Sequence, residues 1–367
     1  MELIDCLKDV QETRSHINQT YPLLEVIFLV VSALACGQKG WSDMKDFGEG
    51  NLDWLSGYLP YENGIPTRHN IAKIVRAVVP DSFVGALVKW ANVRRTRHGK
   101  PLIALDGKDI RGVERSGRAS PLSIVSAFDV EQGLVLYHSA TQGKGQEIQA
   151  VYDLLEVLDI QDCILTMDAL HCQNDTLSLV KKRGGDALVQ VKKNQEALFN
   201  HIDSAFQTYW QQTKTEAHIV EKSENKGHGR EESRCVYSLP IGLGDTLKTK
   251  WSMLESVIAV VRTRKIENKV SHETAYFACT THLPLAMAAN ATRRHWHIEN
   301  CHHWVLDVVF KEDAQTIYAG KAAQNMATVR RFVFNLLKRD NEKLSMPRKM
   351  NKAAWDENYR HDILFTN

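Results

Sequence analysis

The pattern of hydrophobic and polar positions changes period at about residue 100, from helical to strand spacing. Before that point, Tyr21 to Ala35 and Asn70 to Ala91 carry apolar residues at helical spacing, and Pro60 to Pro66 reads as a turn between them. After the basic stretch Arg94 to Lys100, short apolar runs predict strands at Pro101 to Leu105, Leu122 to Phe128 and Gly133 to Tyr137, the last two joined by a turn over Asp129 to Gln132. A helix is predicted over Glu147 to Leu158, a strand over Cys163 to Met167, a helix over Asn174 to Arg183 closed by Gly184–Gly185, and a strand over Asp186 to Val191. Three strands followed by helix, strand, helix, strand is an α/β order with a mixed sheet.

The alternation then breaks. Lys214 to Arg234 is polar and charged, while Ser256 to Thr263 and Thr274 to Thr280 read as strands around a turn at Lys265 to Lys269. A helix resumes near Ala286 and carries His295–Trp296–His297–Ile298–Glu299–Asn300, and a last long helix is expected from Ala322 to Arg339. The expected organisation is a helical N-terminal domain (1–98), the first part of an α/β core (99–195), an inserted, partly β subdomain (196–290), core helices (291–340) and a C-terminal tail (341–367).

Composition narrows the class. With 43% hydrophobic and 25% charged residues, the 367-residue chain is that of a globular protein long enough for two or three cores. A net charge of +2 does not by itself indicate nucleic acid, so a DNA-binding case must rest on where the basic residues sit. Seven dispersed cysteines without a CxxC pair read as reduced thiols. The apolar run Val26 to Cys36 is about half the ~20 residues of a membrane span, so a buried helix and a cytoplasmic protein are expected.

Asp106 and Asp168 each follow an apolar strand directly, where functional groups collect in open α/β sheets. If the two strands are neighbours, the carboxylates share one space and repel unless a divalent cation neutralises them. Such a set, completed by a glutamate on a helix, suits Mg²⁺ and in-line displacement at phosphorus. The alternative is that both aspartates are helix caps or turn residues.

Longer strings add specificity. Leu105–Asp106–Gly107–Lys108, Val125–Ser126–Ala127–Phe128–Asp129, Thr166–Met167–Asp168–Ala169, His171–Cys172–Gln173, Gly184–Gly185–Asp186 and Lys193–Asn194–Gln195 resemble successive blocks of bacterial insertion-sequence transposases. His295 to Asn300, His303 to Val308, Phe310 to Asp313 and the Asn325–Met326…Arg330–Arg331…Asn335–Leu336–Leu337–Lys338 helix resemble the H-repeat-associated branch of the DDE transposases. The helical N-terminal part with Asn63–Gly64–Ile65–Pro66 resembles the domain that precedes their catalytic core.

The resemblance implies a ribonuclease H-like core, which the strand order also matches by analogy. It implies that Asp106, Asp168 and Glu299 form a catalytic, metal-binding triad for two Mg²⁺ ions, with Mn²⁺ as a substitute. The implied activity is cleavage at transposon ends and strand transfer into target DNA, by a homodimer or higher assembly on DNA. Two other readings share these residues: a DNA-binding protein of transposase descent that no longer cuts, and a general metal-dependent nuclease. Cys301 and His302 depart from the branch, which has a small polar and an aliphatic residue there, and so does Lys192 beside the Asn–Gln pair.

Further candidates follow. Lys108, His303 and Asp307 are read as neighbours of the triad or phosphate contacts, against surface or capping roles for Lys108 and Asp307. Arg94, Arg95, Arg97, Lys193, Arg330 and Arg331 are candidates for DNA contact, the stretch at 94–100 being equally readable as a solvated charge run. Zinc is disfavoured, because His–x3–Glu–x3–His is not the HExxH arrangement. Gly143–Lys144–Gly145 is too short for a phosphate loop, and Trp296 and Trp304 are read as core.

Overall fold

A computed structural model of the chain describes residues 3–366 except 16, 18, 98, 112–121, 143–144, 213–219, 228–229 and 268. Six helices come first: α1 (Leu3–Leu7), α2 (Leu23–Ala35), α3 (Trp41–Gly50), α4 (Leu52–Ser56), α5 (Arg68–Ala77) and α6 (Pro80–Arg94). Strands β1 (Leu102–Ile110), β2 (Leu122–Asp129) and β3 (Leu134–Gln142) follow, then helix α7 (Glu147–Val157), β4 (Ile164–Met167), α8 (Asn174–Lys182) and β5 (Asp186–Val191). Next come α9 (Glu196–Gln212), β6 (Val220–Gly227), β7 (Arg230–Pro240), α10 (Asp245–Lys250), β8 (Ser256–Ile266), β9 (Lys269–Cys279) and α11 (Leu285–Arg294). After a π-helical turn at Ile298–His303 the chain ends in α12 (Trp304–Val308), α13 (Ala322–Arg339), α14 (Met346–Trp355) and α15 (Glu357–His361).

The nine strands hydrogen-bond in the order β3-β2-β1-β4-β5-β9-β8-β7-β6. The antiparallel pair β2–β3, the parallel neighbours β1–β4 and β4–β5, and the helices between them give the mixed sheet of a ribonuclease H-like core. Two compact units divide the chain, one of residues 1–96, 107–150 and 299–367, the other of 97–106 and 151–298.

In the second unit the insertion does not build a sheet of its own. Its strand β9 pairs antiparallel with β5 (Leu188↔Cys279), and β8, β7 and β6 follow as a meander. The charged segment Lys214 to Arg234, read as merely polar, supplies β6 and the first half of β7 within its described residues. A strand far from the core tolerates charge on its faces and is protected from edge pairing by it. Helix α9, for which the sequence reading had no element, buries Leu198, Ile202 and Phe206 at helical spacing.

In the first unit α2 is buried from Glu25 to Ala35, as its continuous apolar sequence requires. Helix α13 is buried from Ala322 to Leu337 apart from Gln324. Asn335 pins it to β3, its Oδ1 accepting from Val135 N–H and its Nδ2 donating to Val135 C=O, both at 2.8 Å. The 341–367 segment is largely helical: Arg360 lies over the Trp54 ring at 4.7 Å, and Phe365 stacks on Tyr58 at 4.9 Å. None of the seven cysteines forms a disulfide among the described residues. No described helix is long and apolar enough to cross a membrane.

Candidate active site

The second unit brings the two aspartates level. β1 and β4 run parallel in the register Leu102↔Ile164, Ile103↔Leu165, Ala104↔Thr166. Continuing that register by two residues sets Asp106 level with Asp168; Asp168 follows the end of β4, whereas β1 runs on past Asp106 to Ile110, so the strand end that the sequence predicts at Leu105 is not observed. Asp168 also performs the capping role that the sequence allowed: its Oδ1 accepts from Leu170 N–H at 3.1 Å at the start of a single helical turn, Ala169–His171. Its side chain remains 46% exposed, so capping does not close off the carboxylate.

Two largely buried histidines stand around Asp168 and its strand. His171 Nε2 stands 3.9 Å from Asp168 Oδ1, yet burial holds this imidazole below the ordinary histidine pKa. His295 Nδ1 meets Thr166 Oγ1 at 3.0 Å, and burial lowers its pKa to about 4 against the opposing pull of Asp168. Both rings are therefore uncharged near pH 7 and leave the carboxylate's charge uncompensated.

The Lys193–Asn194–Gln195 block, just after β5, braces the turn behind Asp168. Asn194 Nδ2 donates to Ala169 C=O at 2.6 Å, and Gln195 Nε2 to Cys172 C=O at 2.9 Å. Sequence pattern gave these two residues no role beyond the resemblance. Lys192 and Lys193 remain exposed at the same edge of the sheet.

Glu299 opens the last segment of the first unit. The sequence reading ran one helix through it, but α11 ends at Arg294 and Glu299 sits in the π-helical turn Ile298–His303. Regular α-helical spacing from His295 through Glu299 to His302 or His303 therefore does not apply. Here Glu299, Asn300 and Cys301 are exposed, while His302 and His303 turn inward. Such turns are frequent at functional sites. Partial burial alone raises the Glu299 carboxyl above its usual pKa.

Lys108 is not a surface lysine. Its Nζ lies 2.8 Å from Asp307 Oδ1, 2.8 Å from Asp313 Oδ1 and 3.6 Å from Glu312 Oε2. Burial opposes its charge, but these three carboxylates hold its pKa above the ordinary value. Asp307, for which a neighbour of the triad and a surface or capping acid were both open, pairs with Lys108, and burial raises its pKa against the pull of that lysine. Glu312 is wholly buried and also receives Arg331 Nη1 at 3.0 Å and Arg330 Nη1 at 3.7 Å.

Several expected contacts move inward. Arg331 is 0% exposed, and Arg95 spends its guanidinium on Asp129 at 2.8 Å with both side chains buried, so neither presents charge to DNA. Arg94 lies over Trp90 at 4.7 Å, and exposed Arg97 pairs with Asp159 at 2.7 Å, so both charges of this basic stretch are engaged within the chain. His303, with burial, Arg331 and Lys108 depressing its pKa to about 3, is no cationic phosphate contact. His302, in its aliphatic position, packs as an aromatic filler against Phe128 and Phe334. Trp296 and Trp304, read as core, are 47% and 57% exposed. Of Gly143–Lys144–Gly145, the first two lie outside the described residues.

One carboxylate escaped the sequence reading. A Cβ on Gly107 would stand 3.2 Å from the Glu147 carboxyl group, so the glycine after Asp106 permits that acid's close approach. Only its place in the first turn of α7, a short acidic start, could have hinted at it.

The donors suit a hard cation. Aspartate carboxylates are oxygen donors of the kind Mg²⁺ takes, since it binds through one or two carboxylates while keeping waters. Among the described residues no three His, Cys, Asp or Glu side chains are gathered closely enough to hold a metal.

Comparison with known proteins agrees with this architecture. Residues 4–91 match the model of the DDE_Tnp_1-associated family and residues 97–336 that of the transposase DDE domain. The chain is 35% identical to the "H repeat-associated putative transposase YhhI" of Escherichia coli K12, over 99% of this chain and 97% of that protein. It is 34% identical to the "Putative protein YbfL" of the same strain, over 99% and 97%. Against the "Putative transposase YncI" of Escherichia coli O157:H7 it is 30% identical, over 99% and 94%. Matched along nearly its whole length to such relatives and built on a ribonuclease H-like strand order, the chain belongs to the DDE transposase family.

Proposed function

We propose that this transposase cleaves DNA at the ends of its element and joins the freed ends to target DNA, in a divalent-metal-dependent reaction. The observation that carries this is the level placement of Asp106 and Asp168 on neighbouring parallel strands. Asp106, Asp168 and Glu299 would hold the metal, Mg²⁺ or Mn²⁺. The metal pair would lower the cost of charge on the attacking and leaving oxygens at phosphorus.

The chain's own residues do the rest. Asp168 keeps its orientation through the Leu170 N–H bond, and Asn194 and Gln195 hold the turn behind it. Neutral His171 and His295 pack beside the carboxylate without neutralising it. Exposed Lys192 and Lys193 sit where a phosphate strand would approach that edge. Two element ends must be held together, so a homodimer or larger assembly on DNA belongs to the proposal.

The test is cleavage of DNA carrying the element's native flanks, with Mg²⁺ or Mn²⁺, by the wild type and Asp168→Ala. Metal-dependent cuts at the repeat ends, absent in the variant, are the expected result. Specific binding without cutting would leave a DNA-binding protein of transposase descent, and scattered cuts on any DNA a general nuclease.

A further inference from the structure

A second polar feature lies wholly within the first unit. A pocket of about 150 Å³ is lined by Lys39, Gly40, Phe310, Lys311, Gln315 and Arg330, among others, with no carboxylate in its lining. Lys39 sits between α2 and α3, and Gly40 is the residue at the amino end of α3, where its N–H is already held by Asp43 Oδ2 at 3.1 Å, so the anion's partners are the side chains and not the helix end. Lys311 enters from the turn after α12, in a left-handed conformation with φ of 56°. Arg330 comes from α13.

Like charges do not gather at such a place without cause. Burial and the charges of Lys311 and Arg330 hold Lys39 below the ordinary lysine pKa, so the three cations are close enough to repel. Arg330 is 3% exposed, yet its Nε and Nη1 have no hydrogen-bond acceptor among the described residues. Its carboxylate neighbour among the described residues, Glu312 at 3.7 Å, is shared with Arg331 and Lys108. Both side-chain polar atoms of Gln315 are likewise buried without a partner. Buried polar atoms left unpaired are costly, and their convergence with three cations marks a site built for an anion.

The dimensions restrict that anion. Small-molecule sites occupy roughly 300–1,000 Å³, so this pocket is too small for a nucleotide and large enough for a phosphate group. Its rim, formed by Lys311, Ala314 and Thr316, is exposed, which lets a continuing strand enter and leave. Arg and Lys together supply the donors that phosphate oxygens need.

We propose that Lys39, Lys311 and Arg330 form a pocket for one backbone phosphate of the transposase's DNA, separate from the Asp106–Asp168 pair. The inference rests on the transposase reading above. It assigns the N-terminal helices and the segment after α12 a joint task in gripping DNA that neither performs alone.

The test uses the full-length chain and a short random-sequence duplex, with affinity measured across a range of salt. Lys39→Ala combined with Lys311→Ala should bind about tenfold more weakly, with the slope of log affinity against log salt shallower by about 1. Lys39→Arg with Lys311→Arg should recover both, and Lys8→Ala with Lys343→Ala, which removes the same charge elsewhere, should change neither. Unchanged affinity and slope in the alanine pair overturn the proposal while wild-type DNA binding stands. A wild type that binds no duplex at any salt removes the transposase reading itself. Inorganic phosphate provides the remaining arm: if it raises the Tm of wild type but not of the alanine pair, and DNA affinity is equal in both, the pocket takes free phosphate and the DNA assignment is overturned.

Discussion

Arg331 and Glu312 meet at 3.0 Å with neither side chain exposed, joining α13 to the turn after α12. A buried pair of this kind is retained because breaking it strands a charge. Arg330 and Lys108 crowd the same carboxylate, so Glu312 stays ionised although burial alone would raise its pKa.

Replacing Arg331 by Met should therefore cost about 3–5 kcal/mol of stability. Urea denaturation of the full chain measures it. A loss under 1 kcal/mol would mean that Arg330 and Lys108 suffice to hold Glu312.

Asn335 offers a second structural test. Its amide satisfies both backbone groups of Val135 inside the core, so Asn335→Leu leaves a buried N–H and C=O unpaired. At about 1–3 kcal/mol per group, the variant should be among the least stable single substitutions in α13. Asn335→Asp keeps the acceptor and loses the donor, and its midpoint should fall between Leu and wild type.

Acid sensitivity follows from buried histidines. His303 is held at about 3, and His138 and His302 lie well below the ordinary value, each chiefly through burial. In the unfolded chain they titrate near 6.5. Below that pH the unfolded state binds more protons, so stability falls as pH drops from about 6.5 toward 3 and is level above it. His302→Phe should flatten this slope in a plot of Tm against pH, because both ring nitrogens lack a hydrogen-bond partner and the ring already packs on Phe128. An unchanged slope would assign the acid loss elsewhere.

For the chemistry, Asp168→Asn is a cleaner substitution than alanine, since an asparagine oxygen can still accept from Leu170 N–H. We expect cleavage to drop by on the order of 10³-fold or more, with DNA affinity and Tm little changed. Glu299→Gln should behave the same way. Equal losses of binding and cleavage in Glu299→Gln would count against a purely catalytic role for that residue.

Much of this protein could be read along the chain. The apolar runs ending at Leu105 and Met167 announced two strands; the polar residue after the run marked the end of β4, while β1 continues past Asp106 to Ile110. Period and run length carry that information because they reflect local burial, strand by strand. The helical N-terminal region and the buried α2 were legible for the same reason.

What the chain alone could not show was pairing. That Asp106 and Asp168 are level depends on a β1–β4 register set across sixty intervening residues. That β9 extends the sheet at β5, so the insertion continues the core sheet, is also a long-range choice. The basic residues of α13 read as an exposed face, because an arginine's burial depends on a partner and the partner, Glu312, sits nineteen residues upstream. The π-helical turn at Glu299 is equally invisible to a 3.6-residue period. Local sequence determined which elements form; tertiary structure decided how far β1 runs and which charges are paired or face water, because those outcomes depend on burial between distant segments.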